Sequence, residues 1–381
     1  MSNWAIELCK AGGVVGLFAY LIQSGLLRFE DLERVGDRWP WLVVAQIPFA
    51  VLLLAAALRW HLLLRAQAIA LPFRDTYAIM LIGWFFNQTM PSSTGGDVAK
   101  AAAIGLEQPQ NRTVAIMSIF VDRFVGLLTL LVFALALCAF GRDRIAESAL
   151  LSSICFGIAG LLAAAVCATA LFYSARFRAG IAPLLRRLGL HADADDGARP
   201  GRAPATRPHA GTSASAQRGS GPGGPTPDEG DPAPDAVPAR ARLARRLARA
   251  LVRIDAAVYA YRNHPRTLAL CFAASLGLHA MTLALNLILT WIVLGESFDV
   301  AAVIVIVPMA HIGMAVPLTP GSIAIGEGIY GALFSTIGIA QGSTIGLLQR
   351  LVWWSWAAVG ATVFLARRKT GRSQIPAASS H

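Results

Sequence analysis

Two segments rich in glycine, proline and hydroxyl side chains interrupt apolar runs, one in each half of the chain. The first reads Asn87-Gln88-Thr89-Met90-Pro91-Ser92-Ser93-Thr94-Gly95-Gly96-Asp97. The second reads Val316-Pro317-Leu318-Thr319-Pro320-Gly321-Ser322, with Glu327 just beyond. Irregular backbone survives at membrane depth only where protein packs around its polar groups or a wet cavity reaches them. Two such breaks at corresponding places in two halves point to a transport site between repeats.

The breaks carry that meaning only if the runs around them cross a bilayer. Of the 381 residues, 55% are hydrophobic and 14% charged, against about 25% charged in soluble domains. Several runs reach the roughly 20 residues that a span needs. The fold class expected is an all-α polytopic membrane protein. It should have about eight transmembrane helices, with two re-entrant or broken segments arranged as two repeats. The spans are expected near residues 5–27, 40–58, 76–90, 114–140, 148–173, 266–294, 300–316 and 344–366. Residues 97–105 and 323–339 are expected to form short helices after the breaks. The apolar run after Lys10 has no small-residue cleavage site behind it and is read as a retained first helix.

Charge sets the expected orientation. The net charge is +11, concentrated in residues 176–266 and in Arg367-Arg368-Lys369. No nucleic-acid-binding motif accompanies these arginines, so they are read as marks of cytoplasmic loops beside anionic lipid. The basic stretch with Arg59, Arg65 and Arg74, placed after the second span, is assigned to the cytoplasm for the same reason. Both termini are then cytoplasmic. The domains expected are a membrane half at 1–175, a cytoplasmic linker at 176–265, a second membrane half at 266–369 and a disordered tail at 370–381. Within the linker, 191–238 has almost no large apolar residue and cannot offset its ordering entropy. Residues 240–262 read as an amphipathic interfacial helix, with Leu243, Leu247, Leu251, Ile254 and Val258 on one stripe and arginines mainly off it.

Charges inside apolar runs cost roughly 2.5–3.5 kcal/mol each near the bilayer centre. Asp97, Lys100, Asp122, Arg123, Glu327 and Arg350 accept that cost. Neighbours i and i+1 on a helix point apart, so Asp122 and Arg123 are expected to find separate partners. Asp97 and Lys100 fall within pairing distance on one turn. Arg123 with Glu327, and Arg350 with Asp122, are the cross-half pairs expected. One reading makes these residues internal salt bridges that fix helix packing. The other makes them a path for a charged lipid headgroup, which the unwound breaks favour. Ser92, Ser93, Thr94 and Gly95 precede one half-helix, and Thr319, Gly321 and Ser322 precede the other. Freed N–H groups at such starts can hold an anion. The five cysteines are read as small apolar residues, with neither a disulfide framework nor a metal site expected. No cofactor, no metal and no catalytic residue is expected.

Four motifs stand in order along the chain. They are Arg59-Trp60-His61-Leu62-Leu63-Leu64-Arg65-Ala66, then Asn87 to Asp97 followed by Lys100-Ala101, then Asp122-Arg123-Phe124-Val125-Gly126-Leu127, then Pro317 to Glu327. Together they resemble the flippase-like membrane region of lysylphosphatidylglycerol synthases and its stand-alone relatives. The resemblance covers nearly the whole chain except the linker. It implies an integral inner-membrane protein of bacteria or archaea whose partners are membrane lipids, either an anionic or aminoacylated phospholipid or an isoprenoid lipid. In the two-domain synthases this region is associated with moving the modified lipid between leaflets, while a separate soluble domain carries out aminoacyl transfer. A chain ending at His381 is expected to lack that domain. The resemblance therefore implies a lipid translocase, flippase- or scramblase-like, more than an enzyme. The alternative is a membrane transferase or accessory subunit for isoprenoid-, hopanoid- or glycan-linked lipids. No Walker A motif is present, so direct ATP drive is not expected.

Overall fold

Apolar runs become helices in this chain because a helix satisfies every interior backbone hydrogen bond within itself. The computed structural model describes residues 23, 35–90, 95–173, 259–315 and 323–369. The expected span at 5–27 apart from residue 23, break residues 91–94 and 316–322, residues 174–258 and the tail at 370–381 lie outside the described residues.

The helices, in chain order, are α1 (Trp39–Val44), α2 (Gln46–Ala66), α3 (Phe73–Thr89), α4 (Gly95–Glu107), α5 (Arg112–Phe140), α6 (Arg142–Ala146) and α7 (Ala149–Tyr173). A 3₁₀ turn at Tyr261–Asn263 leads into α8 (Pro265–Leu294), α9 (Val300–Met314), α10 (Ile325–Ser335) and α11 (Gly342–Lys369). Every regular element among the described residues is helical. Four of these helices are long and apolar enough to cross a membrane: Trp39–Ala66, Arg112–Phe140, Ala149–Leu171 and Pro265–Leu294. The second span does not stop before Arg59 as expected. It runs on to Ala66 with Arg59 buried inside it, because a buried carboxylate of α5 neutralises the guanidinium.

Helix ends gather into two sets. At the first, end A, Arg367 near the close of α11 pairs with Asp75 at the start of α3 and donates to Glu107 Oε1 at the end of α4, 3.1 Å away. Tyr261, just ahead of α8, donates its hydroxyl to the Leu63 carbonyl near the end of α2, 3.1 Å away. At the second, end B, Arg38 donates to the Trp291 and Ile292 carbonyls that close α8. Arg144 of α6 pairs there with Asp299, which also caps α9 by accepting from the N–H groups of Ala301 and Ala302.

Helix length completes the picture. α11 spans about 42 Å at 1.5 Å per residue, so its start lies at end B. The start of α3 and the end of α4 lie together at end A, and the start of α9 lies at end B. These four helices are only about 16–26 Å long, shorter than a hydrocarbon core of about 30 Å. The order long, short, short, long occurs twice, once as α2 to α5 and once as α8 to α11.

Met1–Ser174 and Arg253–His381 make one compact unit, and Ala175–Val252 makes a second. In the first unit the larger apolar core joins Leu285, Leu289 and Ile292 of α8 to Phe49 and Leu53 of α2 and to Tyr330 and Phe334 of α10. A smaller core of Trp60, Leu64, Ile79, Ile104 and Ala115 holds α2 to α5 together. Two glycines set the closest approaches. A Cβ on Gly96 would collide with the Gly83 carbonyl oxygen of α3, and a Cβ on Gly360 would collide with the Leu81 carbonyl. Short helix α3 is thereby pressed against both α4 and α11.

Candidate ion-pair site in the helix bundle

The charged residues of the apolar runs fall into two clusters. The first is built from α2, α4, α5 and α8. Arg59 Nε donates to Asp122 Oδ1 at 2.7 Å and Nη2 donates to Oδ2 at 3.0 Å, a two-pronged contact with both side chains buried. Arg59 Nη1 donates to Ser275 Oγ at 2.9 Å, tying α8 into the pair. One position on, Arg123 turns to a different partner. Its Nε donates to Asp97 Oδ2 at 2.8 Å and its Nη2 donates to Oδ1 at 3.0 Å. Asp97 also receives Lys100, 3.0 Å away within the same turn.

The two cations on Asp97 differ in setting. The Lys100 side chain is 5% exposed and its ammonium lies over the Trp60 ring, 5.8 Å from the centroid. Its stem runs so close to Gly83 that a Cβ there would crowd it. The Arg123 side chain is 52% exposed. Arg123 stands about 17 Å from end A along α5.

The second cluster is built from α8 to α11. Arg350 donates from Nε and Nη2 to both carboxylate oxygens of Glu327, with both side chains almost wholly buried. Ser343 donates to the Glu327 backbone carbonyl at 2.9 Å. The Tyr330 hydroxyl lies 2.8 Å from Asn286 Oδ1 and 2.5 Å from Gln349 Oε1. His311 Nδ1 lies 2.9 Å from the Val307 carbonyl, which can only accept, so Nδ1 carries the hydrogen. Its other nitrogen then accepts from Gln349 Nε2 at 3.3 Å.

The two clusters share α8, where Ser275 and Asn286 stand about 16 Å apart along the axis. Asp97, Lys100, Asp122 and Arg123 are thus brought together with Arg59, while Glu327 and Arg350 form a pair elsewhere. The expected cross-half pairs, Arg123 with Glu327 and Arg350 with Asp122, do not form. Each arginine instead meets an acid from its own half: Asp97 for Arg123, Glu327 for Arg350. In each case an acid in the first turn of a short helix, α4 or α10, meets the long helix that follows it in the chain. Of the expected anion-binding residues, Gly95 opens α4, and Ser92, Ser93, Thr94, Thr319, Gly321 and Ser322 lie outside the described residues. The Gly96 N–H is already held by Asn87 Oδ1 at 2.8 Å.

Sequence reasoning missed Arg59 as a buried group, together with Ser275, Asn286, His311 and Tyr330. One signal pointed to Arg59. The apolar run resumes at Leu62-Leu63-Leu64, so the arginine interrupts the run without ending it.

The family model of the lysylphosphatidylglycerol synthase TM region matches residues 11–360. The chain belongs to this family. No curated protein and no solved structure matches it. Membership in the lysylphosphatidylglycerol synthase membrane-region family makes this a membrane protein with a function related to membrane lipids. The match spans both ion-pair clusters, from Arg59 through Arg350.

Proposed function

We propose that this protein moves a polar, phosphate-bearing lipid between the leaflets of a bacterial cytoplasmic membrane, with its headgroup passing through the bundle and its chains in the bilayer. The lipid class is an anionic or aminoacylated phospholipid or an isoprenoid lipid phosphate. The observation that carries this reading is the Asp97–Arg123 pair. A half-exposed guanidinium near mid-depth is expensive in hydrocarbon, and a wet or headgroup-filled surrounding removes that expense. A lipid phosphate makes the same two-pronged contact with arginine that the Asp97 carboxylate makes. The headgroup therefore competes with Asp97 for Arg123, while Lys100 keeps Asp97 neutralised from the buried side.

The path proposed runs past Asp97, Lys100, Asp122 and Arg123 in one half and past Glu327 and Arg350 in the other. The two halves act as repeats of opposite direction, with α3–α4 and α9–α10 as re-entrant pairs. Backbone N–H groups at the breaks, near Ser92, Ser93, Thr94 and Gly95 and near Thr319, Gly321 and Ser322, assist the anion. The basic end A faces the cytoplasm.

The test uses purified protein in liposomes carrying a fluorescent anionic phospholipid in both leaflets. An impermeant quencher reaches only the outer leaflet of protein-free vesicles. In proteoliposomes it should reach nearly all of the lipid, and the recovered lipid should be chemically unchanged. Protection of the inner leaflet, or a new covalent product, would overturn the translocase reading, and the product would favour a transferase.

A further inference from the structure

We infer that Cys138 and Cys155 are joined by a disulfide that fastens α7 to the bundle at end B; the inference rests on the proposed orientation, which puts end B outside the cytoplasm. The two thiols sit 2.7 Å apart, sulfur to sulfur, one in the last turn of α5 and the other near the start of α7. Sulfur atoms at that separation are within about 1 Å of the roughly 2.05 Å of an S–S bond. The other described cysteines differ: Cys271 points at the Arg59 carbonyl, 3.6 Å away, and Cys167 is exposed near the far end of α7.

The bond would act where the packing is thinnest. Almost none of α7 is buried, and among the described residues Cys155 is its one polar side chain that reaches another long helix. Yet α7 supplies Ala168 and Thr169 to an apolar cavity of about 460 Å³, shared with Phe120 and Phe124 of α5 and Leu268 and Phe272 of α8. A covalent tie at one end of α7 keeps the cavity wall in register along its length.

Compartment and chemistry agree with this assignment. End A gathers Arg74, Arg112, Arg262, Arg266, Arg367, Arg368 and Lys369 against the acids Asp75 and Glu107, whereas end B has Arg38, Arg142 and Arg144 among Asp37, Asp143, Glu147, Glu296 and Asp299. The positive-inside rule then places end B outside, where disulfides form and persist. The oxidant is a protein or small-molecule disulfide of that compartment. Cys155, the more accessible thiol, loses its proton, and its sulfur attacks the oxidant and releases one oxidant thiol. Cys138 then loses its proton, and its sulfur displaces the second. One S–S bond forms, and two electrons and two protons leave with the oxidant as a dithiol.

The test is thiol counting on the full chain, trapped in cells with a permeant maleimide and denatured under it. Two of the five cysteines should stay unmodified until reductant is added. Peptide mapping of the unreduced chain should join the Cys138 and Cys155 segments. In Cys138→Ser reductant should expose no further thiol, whereas Cys167→Ser should behave as wild type. Modification of all five cysteines without reductant, or a bond mapped to Cys167 or Cys271, overturns the inference. Labelling of Glu296→Cys by an impermeant maleimide in intact cells, run in parallel, separates the causes. A labelled Glu296→Cys beside free thiols sinks the disulfide alone, whereas an unlabelled one beside free thiols sinks both the disulfide and the orientation beneath it.

Discussion

Arg59 and Arg123 show how one residue type does two jobs under different burial. Arg59 and Asp122 are both enclosed, so neither can lose the other without leaving an uncompensated charge. Arg59→Ala should lower unfolding free energy by about 3–5 kcal/mol, read from denaturation in detergent. The double change Arg59→Met with Asp122→Leu should recover most of that loss, because an apolar pair of similar volume needs no desolvation. Arg123 is half exposed, and Asp97 keeps Lys100 when it goes. Arg123→Ala should therefore change stability by less than about 1 kcal/mol. What could be read here from sequence followed helix geometry. Asp97 and Lys100 meet as an i, i+3 pair, and Asp122 and Arg123 part because adjacent side chains point apart. Their outside partners could not be read, since Arg59 is 63 positions from Asp122, and Asp97 is 26 from Arg123. A lone arginine late in an apolar run looks like the end of a span until the buried acid opposite it is known.

At the scale of elements, the short helices depend on backbone contact more than on side-chain fit. Gly360 lets α11 touch the Leu81 carbonyl of α3. Gly360→Leu should force the helices apart and destabilise the protein by about 1–3 kcal/mol or more, whereas Gly157→Leu, with open space at its Cβ, should be close to neutral. Ala324, at φ 65°, turns the chain into α10 and is fully buried. Ala324→Gly should relieve strain of roughly 1 kcal/mol and raise the unfolding midpoint. The ends of α3 at Thr89 and of α9 at Met314 were legible, because Pro91 and Pro317 follow within three positions and proline disfavours a continuing helix. Which helix ends lie together was not. That follows from Arg367 holding the start of α3 and the end of α4 at end A and from Arg144 and Asp299 meeting at end B, contacts that join residues far apart in sequence.

At the scale of the whole molecule, apolar content and run length gave the membrane class, and four ordered motifs gave the family before any contact was known. The joining of the halves was hidden, because α2 and α8 pack across a long intervening segment and the arginine that joins them, Arg59, is 216 positions from its partner Ser275. Orientation is open to direct labelling. Gln110→Cys, between α4 and α5 at end A, should react with impermeant maleimide only in inverted vesicles, and Glu296→Cys at end B only in intact cells. The central claim is that a lipid headgroup exchanges with Asp97 for Arg123. The most direct measurement is leaflet exchange of a fluorescent anionic phospholipid in liposomes holding wild type or Arg123→Ala, with folding checked by denaturation midpoint. The account expects rapid exchange for wild type and the protein-free rate for Arg123→Ala at an unchanged midpoint. Wild-type exchange by a folded Arg123→Ala would contradict it.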